Sequence, residues 1–102
     1  MLSDGWVLLI SDDDEQYGSL RQYGFENVDR FRSVAIANKY FEEHPKQLKK
    51  YSLVFSQSRS FDPDFQYYPL YERLRKLEEK KVLRYYTLYG TIYPSLYVTK
   101  EF

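Results

Sequence analysis

Four apolar residues run almost directly into three carboxylates near the start of this chain. The apolar run covers residues 7–10, and after Ser11 the acids are Asp12, Asp13 and Asp14. An unbroken apolar run is typical of a strand that is buried on both faces, as in the parallel sheets of α/β proteins. Ligands of open α/β sheets bind outside the carboxyl ends of the strands. The run therefore predicts a central strand whose carboxyl end carries a candidate site.

The composition indicates one folded domain covering residues 1–102. Of these residues 43% are hydrophobic, enough for one core but not for two. Fifteen basic and fifteen acidic residues give a formal net charge of zero, so no overall field attracts nucleic acid or an anionic membrane. No apolar run approaches the roughly 20 residues that span a bilayer, and no leader segment is recognisable. We expect a cytoplasmic protein that binds neither nucleic acid nor membrane.

The residues that usually bind soft metals are almost absent. There is no cysteine and only one histidine, His44, which excludes disulfides, thiolate zinc sites and cysteine nucleophiles. His44 precedes Pro45 without a nearby partner for catalysis, and a helix-end position stabilised by the helix dipole explains it. Any bound metal is therefore expected to be a hard ion with oxygen ligands.

The hydrophobic pattern predicts strands and helices in alternation. The predicted strands cover about residues 6–11, 27–32, 52–56 and 82–88, with a last extended segment at 91–99; the predicted helices cover about 15–23, 33–43 and 69 onwards, with one further turn at 45–50. Only about six residues separate the last two extended segments, too few for a parallel crossover. We therefore predict a flavodoxin-like, three-layer α/β sandwich with a mostly parallel sheet that ends in an antiparallel hairpin. Right-handed crossovers place the ends of the first and third strands together.

Two of the helices carry specific signals. The first helix is predicted to stop at Gly24, which fits the left-handed position after a last turn, while Phe25 packs back on Leu20. In the second helix an apolar stripe at helical spacing is predicted to be buried, and it comprises Val34, Ala37, Tyr40 and Phe41.

Four features of the chain together resemble one family. They are the order of elements, the acids after the first strand, Gly24-Phe25 after the first helix, and residues 51–55 as the third strand. Over about residues 5–89 the chain resembles the receiver domain of bacterial response regulators. In that family an acidic pair holds Mg²⁺, an aspartate ending strand three accepts a phosphoryl group, a Thr or Ser ends strand four, and a lysine follows strand five. The resemblance implies that Asp12 and Asp13 are the acidic pair and that Thr87 lies near the hydroxyl position.

The phosphoryl acceptor is where the chain departs from this family. The place of the accepting aspartate falls on Ser56 or Gln57, and neither carries a carboxylate. The segment 97–102 is similar to the family's lysine segment, but no helix precedes it, and a hairpin would take Lys100 to the opposite end of the sheet. The resemblance therefore implies a receiver-like domain that does not accept a phosphoryl group.

The acids and the loop after the third strand have both a ligand-binding and a structural interpretation. Asp12 and Asp13, with waters, could bind Mg²⁺ in octahedral geometry. The structural alternative is that one acid caps the first helix, one favours its dipole and one is solvated. Ser56, Gln57 and Arg59 could bind a ligand, with Arg59 pairing to a carboxylate or phosphate, or the loop is simply solvated.

Tyrosine is unusually abundant, with 12 residues in the chain. Tyrosine is enriched in protein interfaces because its ring is apolar and its tip is polar. Neighbours along a strand point to opposite faces, so Tyr85 and Tyr86 cannot lie in one layer. With Tyr89 and Tyr93 they are candidates for a contact with a protein partner or a second copy; the alternative is that they fill the core.

We therefore expect a non-catalytic, receiver-like regulatory or interaction module without a required cofactor. The alternative is a Mg²⁺-dependent enzyme acting on a small phosphorylated substrate, with Asp12 and Asp13 on the metal and Arg59 on the phosphate. A third possibility is an accessory protein that blocks or scaffolds a larger assembly.

Overall fold

Four strands and three α-helices alternate along the parts of the chain that the computed structural model describes, residues 5–57 and 68–88. The strands are β1 (Trp6–Ile10), β2 (Val28–Phe31), β3 (Tyr51–Gln57) and β4 (Arg84–Leu88). The helices are α1 (Asp14–Gln22), α2 (Val34–Glu43) and α3 (Pro69–Glu79), and a short 3-10 helix, Pro45–Lys50, leads into β3. The elements follow the order that the sequence pattern predicts.

The four strands form one parallel sheet in the order β2-β1-β3-β4. This order, with helices in the connections, is that of the flavodoxin-like doubly wound fold, and it confirms the predicted fold class. The predicted hairpin falls on residues 91–99, outside the described residues. No helix in the described ranges is long and apolar enough to cross a membrane.

Helices cover both faces of the sheet and make three layers. One face, which we call the α1 face, packs Val7, Leu9, Leu53 and Phe55 against Leu20 and Phe25 from α1 and its end. On the opposite face, the α2/α3 face, the strand residues Leu8, Ile10 and Val54 pack against the two other helices. These helices contribute Phe41 from α2 and Leu74 from α3. β1 contributes to both cores and is almost fully buried along 7–10, as its unbroken apolar run predicts.

One residue interrupts the regular pairing of β3 with β1. Trp6 is in register with Tyr51, but the next residue, Val7, is in register with Leu53, so that Ser52 is an extra residue on β3. Such a bulge locally breaks the alternation of side chains. As a result Tyr51 and Val54 both face the α2/α3 side although they are three residues apart.

The end of α1 forms as the sequence predicts. Gly24 has a positive φ of 97°, its N–H bonds to the carbonyl of Arg21, and the N–H of Phe25 bonds to the carbonyl of Leu20. These two bonds define a Schellman motif, in which the left-handed residue is usually glycine. Phe25 and Leu20 belong to the same buried cluster, which confirms the predicted contact.

The end of α3 uses the same pair of bonds without a glycine. Lys81 has a φ of 61°, its N–H bonds to the carbonyl of Glu78, and Val82 N–H bonds to the carbonyl of Leu77. This turn uses residues that the sequence pattern assigned to the fourth strand, so β4 starts at Arg84 rather than at Val82.

The prediction that Tyr40 is buried was wrong. Val34, Ala37 and Phe41 are buried under α2, but Tyr40 is 37% exposed. Helical spacing places Tyr40 at the margin of the inward stripe, where its ring contacts Phe31 at the end of β2 with a centroid distance of 5.2 Å. A stripe of four apolar residues is therefore wider than the surface that α2 buries.

Candidate functional site

The candidate site lies where β1, β3 and β4 end. Ile10 is in register with Ser56, and Ser56 is in register with Thr87, so the three carboxyl ends are neighbours. The connection that leaves β1 contains α1 on one face, and the connection that leaves β3 contains α3 on the other. Neighbouring strands with connections to opposite faces form the switch point where doubly wound folds bind ligands. The predicted meeting of these ends is confirmed.

Ser11 fixes the start of the acidic loop. Its Oγ donates to Oε1 of Gln16 at 2.5 Å and accepts from the backbone N–H of Asp13 at 3.0 Å. The side chains of Ser11 and Gln16 are both buried. An unpaired polar group at such a position would lower the free energy of unfolding by about 1–3 kcal/mol. Ser11 therefore joins the end of β1 to the first turn of α1 and sets the path of the acids between them.

Asp13 and Asp14 each hold a structural role at the start of α1. The Asp13 carboxylate accepts from the N–H of Glu15 at 2.9 Å and is the N-cap of α1. Asp14 is exposed and pairs with Arg30 at 2.6 Å and with Arg32 at 3.5 Å. The hydrogen bond from Arg30, and then its charge, lower the pKa of Asp14 below its ordinary value.

Asp12, the first of the predicted metal ligands, is exposed at the turn between β1 and α1. Within residues 5–57 and 68–88, no three His, Cys, Asp or Glu side chains form a group that could hold a metal ion. Asp12 and Asp13 are adjacent at this end of the sheet, and the Asp13 carboxylate already stabilises the helix start.

Arg30 is the site residue that sequence reasoning missed. Its side chain is only 13% exposed, its Nε donates to the carbonyl of Ser11 at 3.0 Å, and its guanidinium lies over the ring of Tyr17 at 5.7 Å. Nη2 is buried and has no hydrogen-bond partner among residues 5–57 and 68–88. The only sequence signal was a charged residue inside a weak outer strand, because the partners of Arg30 lie 16 and 19 residues away.

Ser56, at the end of β3, is also buried. It is 1% exposed, and its Oγ accepts a hydrogen bond from the hydroxyl of Tyr85 at 3.1 Å. The ring of Tyr85 lies under α3, with the guanidinium of Arg75 at 4.6 Å and the ring of Tyr71 at 6.2 Å. Two neutral hydroxyls thus meet at the end of the third strand, beneath the outer surface.

The predicted tyrosine surface divides between the two faces of the sheet. Tyr85 is buried in the α2/α3 core, which places it among the core tyrosines of the alternative interpretation rather than on an exposed surface. Tyr86 lies on the opposite face and stacks on Phe55 with a centroid distance of 5.9 Å. Tyr89 and Tyr93 lie outside the described residues.

The remaining predicted site residues are placed by the backbone alone or fall outside the described ranges. Gln57 is the last residue of β3 and is in register with Leu88, one step beyond the pairing of Ser56 with Thr87. Arg59 and Lys100 lie outside the described residues. The phosphate contact that the enzyme alternative assigns to Arg59 is therefore also outside them. No family model, curated protein or solved structure matches this chain.

Proposed function

We propose that this chain is a receiver-like regulatory module that does not accept a phosphoryl group and acts through protein contacts. The observation that carries the proposal is the end of β3, where the buried Ser56 hydroxyl is bonded to Tyr85 and the next residue is Gln57. Neither residue offers a carboxylate. The parallel order β2-β1-β3-β4 and the acids after β1 support the receiver-like part of the proposal.

The chemistry of the two residues supports the loss of phosphoryl transfer. An acyl phosphate forms by attack of a carboxylate oxygen on phosphorus, and the side-chain amide of Gln57 is not such a nucleophile. The Ser56 hydroxyl is buried, and in the described part of the chain its side-chain partner is the hydroxyl of Tyr85 rather than a histidine or a carboxylate. A serine hydroxyl is a weak nucleophile without an adjacent base.

The charges beside β1 support the same conclusion. Arg30 places a fixed positive charge 2.6 Å from Asp14, two residues from Asp12 along the chain. A divalent cation bound by Asp12 and Asp13 would be repelled by that charge, and it would compete with the N–H of Glu15 for the Asp13 carboxylate. Both costs weaken Mg²⁺ binding relative to an acidic pair without such partners.

The test uses Mg²⁺ and fluoroberyllate, a mimic of the phosphoryl group, with the backbone amides followed by NMR. We expect no saturable shifts at Asp12, Asp13 or Thr87 in the natural sequence. Saturable shifts at these three amides would contradict the proposal, because they would show an intact phosphoryl-binding site.

A matched variant makes a negative result informative. Gln57→Asp supplies the missing carboxylate at the end of β3, and we expect it to gain saturable shifts with Mg²⁺ and fluoroberyllate. Gln57→Asn is the control for changing the side-chain length without adding charge. If Gln57→Asp gains nothing beyond Gln57→Asn, the likeness to receivers at this end of the sheet is wrong.

A further inference from the structure

The two halves of α1 are attached to the sheet by different kinds of contact. In the second half, Leu20 is fully buried, and Phe25, just beyond the helix, packs in the same apolar cluster of the α1 face. In the first half the buried side chain is Gln16, which is polar and accepts a hydrogen bond from Ser11. Tyr17 adds a ring that is only partly buried against the cluster. Apolar burial therefore anchors the second half more firmly than the first.

The first turns of the other two helices are anchored by apolar residues. The buried residue of the first turn is Val34 in α2 and Leu70 in α3, and each is 1% exposed. Withdrawing such a residue from the core exposes apolar surface to water, which is unfavourable. Gln16, in contrast, can exchange protein partners for water when it leaves the core. Of the three helix starts, that of α1 is therefore the one that the core holds least firmly.

The first backbone hydrogen bond of α1 is also long. The nitrogen of Tyr17 lies 3.4 Å from the carbonyl oxygen of Asp13, whereas the nitrogen of Ala37 in α2 lies 3.1 Å from the carbonyl oxygen of Ser33. Asp13 and Ser33 are the N-caps of their helices, so the two bonds are equivalent in position. The first turn of α1 is therefore closed less tightly than the first turn of α2.

Gly18 lies in the middle of α1, as the fifth of its nine residues. A Cβ atom added there would meet no atom within 4 Å, so the packing does not require a glycine. Glycine destabilises the interior of a helix relative to alanine, because its backbone loses more conformational freedom on folding. Gly18 therefore weakens α1 at the boundary between its two halves.

We propose that the start of α1 is a flap, in which residues 12–17 unwind and leave the sheet about a hinge at Gly18. Leu20 and Phe25 keep the second half in place, because their contacts lie beyond the hinge. The opening exposes little apolar surface, so it requires less free energy than unfolding of the whole domain.

Opening of the flap changes the charges at the carboxyl end of the sheet. In the closed form the N–H of Glu15 engages the carboxylate of Asp13, and Arg30 engages the carboxylate of Asp14. In the open form the two carboxylates and the guanidinium lose these partners. A binding partner that prefers one form would shift the population toward that form. The flap is independent of the phosphoryl chemistry at the end of β3.

Amide hydrogen exchange of the whole chain, followed by NMR, tests the flap. The N–H of Tyr17 reports on the first half, and the N–H of Phe25, which bonds to the carbonyl of Leu20, reports on the second half. We expect the protection of Tyr17 to be at least about tenfold lower than that of Phe25 and of Ala37. Ala37 is the control for ordinary fraying, because it occupies the same place in α2. Equal protection of Tyr17 and Ala37 would overturn the proposal.

Two variants test the position of the hinge. Gly18→Ala favours the helix at residue 18, so the protection of Tyr17 should rise about twofold to fivefold if this residue leaves the helix on opening. Leu20→Val is the matched variant, because it weakens an apolar contact that the open form keeps. It should lower the protection of Phe25 and leave that of Tyr17 unchanged. An unchanged Tyr17 in Gly18→Ala, or equal losses at Tyr17 and Phe25 in Leu20→Val, would overturn the proposal, the second result because α1 would then open as one piece.

Discussion

The carboxyl end of the sheet consists of two unlike halves. In the β1 half, Ser11 is tied to α1, and charged groups follow at once: Asp13 caps the helix and Asp14 pairs with Arg30. In the β3 half, Ser56 is tied to β4 by a single bond between neutral hydroxyls. The β1 half is therefore made from local contacts and ion pairs, whereas the side chain of Ser56 in the β3 half is held by a long-range contact between two hydroxyls.

This difference bears on what the site can do. A phosphoryl-accepting site needs charge in both halves, with a metal bound beside one strand and a carboxylate at the end of the other. Here Asp13 and Asp14 lie in the β1 half, where Arg30 engages Asp14, whereas the charge described against Tyr85 in the β3 half is the guanidinium of Arg75. Each of the four predictions below concerns the loss of a contact or a charge in one of the two halves.

Ser11→Ala is expected to have the largest effect, a loss of about 2 kcal/mol in the free energy of unfolding. The change removes the donor to Gln16 and the acceptor of the Asp13 N–H, both at a buried position. Urea unfolding followed by circular dichroism measures it. Ser52→Ala is the control, because its hydroxyl makes only a long bond of 3.5 Å to the carbonyl of Trp6; equal losses in the two variants would contradict the role given to Ser11.

Arg30→Gln is expected to cost about 1.5 kcal/mol, since charged hydrogen bonds to Asp14 and to the carbonyl of Ser11 are lost. The same change removes the positive charge beside the acids, so Mg²⁺ should shift the amides of Asp12 and Asp13 more strongly than in the natural sequence. Arg32→Gln, at a more exposed arginine of the same cluster, is the control. A stable variant with unchanged Mg²⁺ response would show that Arg30 does not shape this half.

Tyr85→Phe is expected to cost about 1 kcal/mol, because it removes one neutral hydrogen bond and keeps the ring. The β3 half should therefore be less sensitive to the loss of its contact than the β1 half. Tyr23→Phe removes a hydroxyl from a side chain that is 57% exposed and should leave the unfolding midpoint unchanged. If Tyr85→Phe lowers the free energy of unfolding as much as Ser11→Ala does, the two halves do not differ in the way described.

Acidification should produce the smallest effect, confined to the β1 half. Arg30 lowers the pKa of Asp14 below its unfolded value of 3.8, so the folded state prefers the charged carboxylate. The resulting stabilisation is present above the unfolded pKa and is lost as the pH falls through the folded pKa. Unfolding midpoints of the natural sequence and of Asp14→Asn should therefore converge as the pH falls below about 4; a gap that persists at low pH would contradict the pairing.

The sequence predicts the features that depend on neighbouring residues. The order of the elements, the parallel sheet, a cap of α1 by one of the acids and the Gly24-Phe25 ending all follow from local patterns, although the choice of Asp13 as the cap does not. The roles of Arg30 and Ser56 depend on partners 16 to 29 residues away, and no local pattern names such partners. Tyr40 shows a further limit, since spacing indicates which residues share a side of a helix but not how far the sheet extends beneath it.

The extra residue Ser52 decides which side chain of β3 can reach each layer. If the side chains alternated without interruption from Tyr51, Ser56 would point towards α1. It would then point away from Tyr85, and the two hydroxyls would not meet. Counting along a strand from its first residue therefore assigns the wrong orientation to every later residue here. Deletion of Ser52 would restore regular pairing with β1, and Tyr51 and residues 53–55 would then alternate regularly on the faces that they already occupy.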